Sequence, residues 1–212
     1  MLITSVNQLA WGDTLVAVLG PDTAAQTTRT AEDIVGIYDE TGAALGFNFF
    51  HASQWVGPLA QAGQVFLTEA QVAALNEALQ QAGLEGTLAV DGSHLVIGKI
   101  VGFEPHPDSD HLHITQVDLG DRTEQIVCGA PNAALGQTVV AALPGTMMPD
   151  GKLIWPGELR GVASAGMLCA ARELAIPGAP TQRGILIMPD DLAAGTPYDA
   201  ALAAQVVAAQ QH

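Results

Sequence analysis

Apolar and polar residues alternate along DTLVAVLG (13–20), the pattern of a strand with one buried face. The same period runs through DIVGIYDETGAALGFNFFHAS (33–53), broken at Asp39-Glu40-Thr41-Gly42, and this predicts two strands joined as a hairpin. After Thr68 the period lengthens: Val72, Leu75 and Leu79 recur at helical spacing, Thr68 with Gln71 three residues on is a capping-box signature, and Gly83 stops the run. A helix is predicted over 69–81. A small sheet with this helix makes residues 1–91 an α+β domain, with the boundary near Asp91-Gly92.

Beyond the boundary the pattern becomes a series of short β-rich runs parted by turn residues: HLVIGKIVGFE (94–104), HLHITQVDL (111–119), EQIVCGA (124–130), QTVVAAL (137–143) and GILIMP (184–189). Such spacing predicts a small closed or partly closed barrel over 92–198. Between the fourth and last runs, GKLIWPGELRGVASAGMLCAARELAIPGAP mixes a loop, a strand through Leu159 and a short helix around 168–175. DAALAAQVVAAQQH (199–212) reads as a helical tail.

The connection PHPDSDHLHI (105–114) packs three histidines and two aspartates among turn formers. Alternation in the strand that follows predicts Leu112 and Ile114 facing inward and His111, His113 and Thr115 facing outward. A metal site needs three or four converging ligands with a supporting second shell. Nothing else in the sequence supplies them, so the favoured reading is a turn in which Asp108 and Asp110 accept backbone N–H groups. No metal and no cofactor is assigned. Cys128 and Cys169 form no CxxC pair and read as buried thiols. A hydrolase built on His106, His111, His113 and Cys128 ranks last, because no nucleophile, base and carboxylate constellation accompanies them.

Charge sharpens the choice of partners. Seven basic against 22 acidic residues give a net charge of −15, which repels nucleic acid and anionic membrane at long range. The first 93 residues hold one basic residue, Arg29, against ten acidic; the remainder hold six basic against twelve acidic. Cationic chemistry therefore sits in the second half, at Lys99, Arg122, Lys152, Arg160, Arg172 and Arg183. The start MLITSVNQLAWGDT lacks the pattern of a signal peptide and no apolar run reaches the length of about 18 residues that a span needs, so the expected location is cytoplasmic, with no membrane partner.

VIGKIVGFEPHPDSDHLHITQVDLG, QIVCGAPN, LRGVASAGMLCAARELAI and GILIMPDDLAAGTP together resemble the tRNA-binding domain of bacterial phenylalanyl-tRNA synthetase beta subunits. With a leader of about 90 residues and no synthetase catalytic modules, the chain resembles the YtpR family of stand-alone tRNA-binding proteins. The resemblance implies an all-β OB-fold, a five-stranded barrel with short helices, and tRNA as the partner. Where the family turn has Lys or Arg this chain has His111, while His106, Pro107, Asp108, Ser109, Asp110 and Leu112 keep the pattern. The candidate tRNA-binding residues are Lys99, His106, Asp110, His111, Asn132, Lys152, Arg160, Ser164 and Arg172; Phe103 and Trp155 are the available base-stacking side chains. The first reading is thus a non-catalytic tRNA-binding protein that recognises shape and phosphate backbone, with no small-molecule substrate evident. The alternative is a protein-interaction or chaperone-like module whose same surface dimerises or holds polypeptide. A basic stripe would favour the first, an exposed apolar patch the second.

Overall fold

The computed structural model describes residues 1–210, which divide into two compact units, Met1–Gly92 and the residues from Ser93 onward. Residues 211 and 212 of the expected helical tail lie outside the described residues.

The first unit contains β1 (Ile3–Asn7), α1 (Gln8–Trp11), β2 (Thr14–Val18), β3 (Gln26–Ala31), β4 (Ile34–Asp39), β5 (Ala44–Phe50), α2 (Ser53–Val56), β6 (Ala62–Val65) and α3 (Glu69–Gln81). Its six strands form one antiparallel sheet in the order β3-β4-β5-β2-β1-β6. The β4–β5 hairpin is fixed by Asp39, whose carboxylate accepts the N–H groups of Thr41 and Ala43 and the Thr41 hydroxyl. The Thr41 hydroxyl above all, with these backbone bonds, holds the Asp39 carboxyl below its ordinary range. Helix α3 starts at the expected capping box: Thr68 accepts from the Gln71 N–H while the Gln71 side chain accepts from the Thr68 N–H. Such a cap stabilises a helix by about 1 kcal/mol. Val72, Leu75, Ala78 and Leu79 of α3 join Leu15, Ile34, Tyr38, Phe47 and Phe49 of the sheet in a single core. With one helix of 13 residues against six strands, this unit is mainly β, and the expected α+β division reduces to a sheet carrying one substantial helix.

The second unit contains β7 (Leu95–Pro105), β8 (His113–Asp118), β9 (Thr123–Cys128), β10 (Thr138–Ala142), β11 (Gly157–Leu159), β12 (Val162–Ser164), β13 (Met167–Leu168), β14 (Ile187–Met188) and α4 (Ala200–Ala209). The strand order is β13-β10-β7-β8-β9, and the free edge of β10 is shared between β13, paired at Ala141 and Ala142, and β14, paired at Thr138 and Val139. Among the described residues no ladder joins β9 back to β13, so of the closed or partly closed barrel that the spacing suggested, the closed form is not found. The gap is bridged by single bonds, from the Ala165 N–H to the Gln125 carbonyl and from the Val127 N–H to the Ser164 hydroxyl. Two further expectations change. Around 168–175 the chain makes a strand end and successive turns, although Leu168, Ala171 and Leu174 are all buried at helical spacing. On β8, Thr115 and Val117 face the core and the Thr115 hydroxyl donates to the Ile126 carbonyl, the reverse of the expected facing. The turn that brings Leu112 inward before the strand begins at His113 breaks the alternation and sets that phase.

Candidate nucleic-acid interface

The 105–112 connection and the β11–β12 hairpin are tied together side chain to backbone. The hairpin turns through Leu159-Arg160-Gly161-Val162 with Arg160 at φ 48° and Gly161 at φ 79°. Positive φ at both central residues is the primed two-residue turn that suits the strand twist, and glycine at the second position accepts it without strain. Beneath the turn lies His106, only 3% exposed. Its Nδ1 accepts the Asp108 N–H at 3.0 Å, so the neutral ring carries its hydrogen on Nε2, which donates to the Leu159 carbonyl at 3.0 Å. Arg160 reaches back and donates to the Asp108 carbonyl at 2.8 Å. Ser109 rather than Asp108 caps the rest of the connection, its hydroxyl accepting the N–H groups of Leu112 and His111. Of the two aspartates expected to accept backbone N–H groups, Asp110 meets its own, while His106 and Ser109 cap the rest of the connection.

His111 and Asp110 form an exposed pair, Nδ1 to Oδ1 at 2.9 Å. The hydrogen bond from the His111 ring, more than the nearby Arg160 guanidinium, holds the Asp110 carboxyl below its ordinary range. His111, standing where the family resemblance leads one to expect a free cation, is thus engaged by a carboxylate. Phe103 and His113 stack at 4.3 Å with 22° between rings, both part-buried, so Phe103 already has an aromatic partner.

His106, Asp110, His111 and Arg160 are therefore gathered at one place. Arg172 belongs to a second group with Arg183, and both line two shallow clefts, one also bounded by Asn132 and Gln182, the other by Cys128 and Glu173. Asn132 is committed to the backbone of Ile185, accepting its N–H at 2.8 Å and donating to its carbonyl at 2.9 Å. Ser164 is buried, and its hydroxyl accepts from Val127 and donates to the Gly166 carbonyl. Lys99 and Lys152 are exposed and belong to neither group; Lys99 stands opposite Asp118 in register, and the Lys152 N–H donates to Asp150. Arg122 is held by Asp121 and Glu124. Arg183, outside the candidate residues named from the motifs, joins Arg172 because the turns after Leu168 bring the 172 and 183 segments to one cleft, a proximity no spacing rule encodes. Among the described residues no three histidine, cysteine or acidic side chains are placed to hold a metal ion. Burial pushes the Cys128 thiol up and the Cys169 thiol up to about 12, so neither is poised as a nucleophile.

Comparison with known proteins places this geometry in context. Residues 95–197, which contain every candidate residue above, match the family model described as "Putative tRNA binding domain", and residues 21–91 match a domain of unknown function. Over 195 residues the chain is 43% identical to the "Putative tRNA-binding protein YtpR" of Bacillus subtilis (strain 168), covering 91% of this chain and 96% of that one. The chain belongs to the YtpR family. Phenylalanine–tRNA ligase beta subunits resemble this YtpR-family chain over a shorter stretch. That of Latilactobacillus sakei subsp. sakei is 39% identical over 132 residues, 58% of this chain and 16% of that one. That of Lactiplantibacillus plantarum is 46% identical over 108 residues, 49% of this chain and 13% of that one. The shared stretch in those large chains is thus a small module, whereas the YtpR relative is matched almost end to end.

Proposed function

We propose that this protein is a non-catalytic, cytoplasmic tRNA-binding protein, and that the second unit supplies the binding surface. The observation that carries the reading is the near end-to-end identity with the YtpR relative. In this reading the five-stranded β13-β10-β7-β8-β9 sheet with its bridging hairpin is a partly closed OB-type barrel, residues 92–198 are the binding domain and residues 1–91 a separate N-terminal domain. The RNA backbone lies along the tethered loop and hairpin, where Arg160 presents its guanidinium and the loop is held in one shape by His106. With few uncommitted cations in a chain of net charge −15, recognition rests on a handful of phosphate contacts. Phosphate contacts position the RNA and do not read its sequence, so different tRNAs bind alike.

The experiment is filter binding of total tRNA to the wild type, Arg160→Glu and His111→Lys at low salt. Arg160→Glu should weaken binding to several tRNAs about equally. His111→Lys should tighten it by about 1 kcal/mol if the side chain faces phosphate. Identical isotherms for all three proteins would remove the loop and hairpin from the interface. A second reading, a homodimerising or polypeptide-holding module, is favoured by one feature. Val101 and Leu135 are 51% and 62% exposed, and the Gly136 N–H bonded to the Ile100 carbonyl makes them neighbours. Concentration-dependent sedimentation that Leu135→Ser abolishes would support it.

A further inference from the structure

Arginine is scarce in this chain, and most of it is already occupied. Among the described residues Arg29 pairs with Glu85, Arg122 with Asp121 and Glu124, and Arg160 binds the Asp108 carbonyl. Arg172 and Arg183 differ. Arg183 has no hydrogen-bond or ion-pair partner among the described residues, and Arg172 has only a long contact of 3.4 Å to the Thr181 carbonyl. Both line two adjoining clefts of about 200 and 210 Å³ that share Ala170, Gly184 and Ile185. Each has room for the liquid volume of roughly six or seven waters, enough for a phosphate group. The acidic side chain at the edge, Glu173, is turned to the backbone, its carboxylate accepting the Ala170 N–H at 2.7 Å.

The cleft is also built rather than accidental. The Asn132 side chain spans the Ile185 peptide with two hydrogen bonds, and it lies so close to Gly184 that a Cβ there would stand 2.9 Å from the amide. Asn132 thereby fixes the chain immediately after Arg183 and acts as a positioning residue. Two like charges face one cleft whose carboxylate, Glu173, is engaged by the Ala170 N–H and pairs with neither, and they are mutually unfavourable until an anion joins them. The forked guanidinium suits a phosphate's oxygens better than a spherical anion.

We infer that Arg172 and Arg183 form an anion site that holds one phosphate group, either of a bound RNA strand or of a small phosphate ester. The first source rests on the tRNA-binding reading; the second does not. The test is a titration of the full chain with inorganic phosphate at constant ionic strength against chloride, following the backbone amides of Gly129, Ala130, Gly184 and Ile185 by NMR. Phosphate should shift these amides saturably, and Arg183→Gln and Arg172→Gln should each weaken that response about ten-fold. Arg183→Gln removes no internal contact, so its amide spectrum elsewhere should be unchanged. In parallel, Arg183→Gln should weaken tRNA binding at low salt and make its salt dependence shallower by about one phosphate. No phosphate-specific shift in the wild type, or shifts that persist in both variants, would overturn the site. Shifts lost in the variants with tRNA binding untouched would assign the site to free phosphate esters. A wild type that takes phosphate yet ignores tRNA would sink the tRNA reading while leaving the site in place.

Discussion

His106 is the pivot of the tethered loop, and replacing it with alanine has consequences that follow from its two bonds. The substitution leaves the Asp108 N–H and the Leu159 carbonyl without their partners and empties a site that is 97% screened from solvent. At about 1 kcal/mol for each hydrogen bond, and somewhat more for lost packing, the expected cost is about 2–3 kcal/mol. For a chain of this size that lowers the melting temperature by roughly 4–12 °C. Two further variants separate the bonds: asparagine places an acceptor near Nδ1, and glutamine places a donor near Nε2. Amide hydrogen exchange should show Asp108 protected in the wild type and in His106→Asn but exposed in His106→Ala and His106→Gln. The hairpin amides around Val162 should be steadier in His106→Gln than in His106→Ala. Binding of tRNA should fall in His106→Ala, because the hairpin that carries Arg160 is no longer held. An alanine variant with an unchanged melt and an unchanged Asp108 exchange rate would refute the tether.

Gly184→Ala should destabilise the second unit, and Asn132→Ala should do the same by unpairing Ile185; because both act on one contact, the double variant should cost less than the sum, read by urea unfolding. With its thiol pushed up to about 12 by burial, Cys169 should resist thiol reagents at pH 8 in the folded protein and react on unfolding. The folded state holds that proton more tightly than the unfolded state does, so the Cys169 contribution is intact below about pH 9 and declines as pH rises from there towards 12; melts across this range, flattened in Cys169→Ala, check the sign. Residues 93–212 should melt cooperatively as an isolated fragment, since they contain their own buried clusters; aggregation without a transition would show that the leader completes that core.

Local signals were legible in the sequence and register was not. The Thr68–Gln71 capping box fixed α3 because both partners lie within one turn. β3, which no expected strand covers, is QTTRTA and almost wholly exposed, so no apolar alternation marks it; only pairing with β4 makes it a strand. The β8 facing was reversed because Leu112, inward as expected, lies in the turn before the strand begins at His113, so the alternation does not run on from it, and that boundary leaves no mark in the spacing. The spacing of Leu168, Ala171 and Leu174 reads as a helix, yet turns bury the same three residues. At the candidate site, the motifs named segments that the structure brings together only in part, and not each side chain's role. His106 is a buried strut, while Asn132 and Ser164 are spent on backbone groups. Which cations remain uncommitted depended on contacts between residues tens of positions apart.

The central claim is that the second unit binds tRNA through a few phosphate contacts, and the salt dependence of binding tests it most directly. Equilibrium binding of tRNA to the full chain, measured from about 50 to 200 mM salt, should be saturable near micromolar protein, and log K should fall against log salt with a slope of about −2 to −3. Absence of binding at 50 mM salt and tens of micromolar protein, or affinity indifferent to salt, would contradict the account.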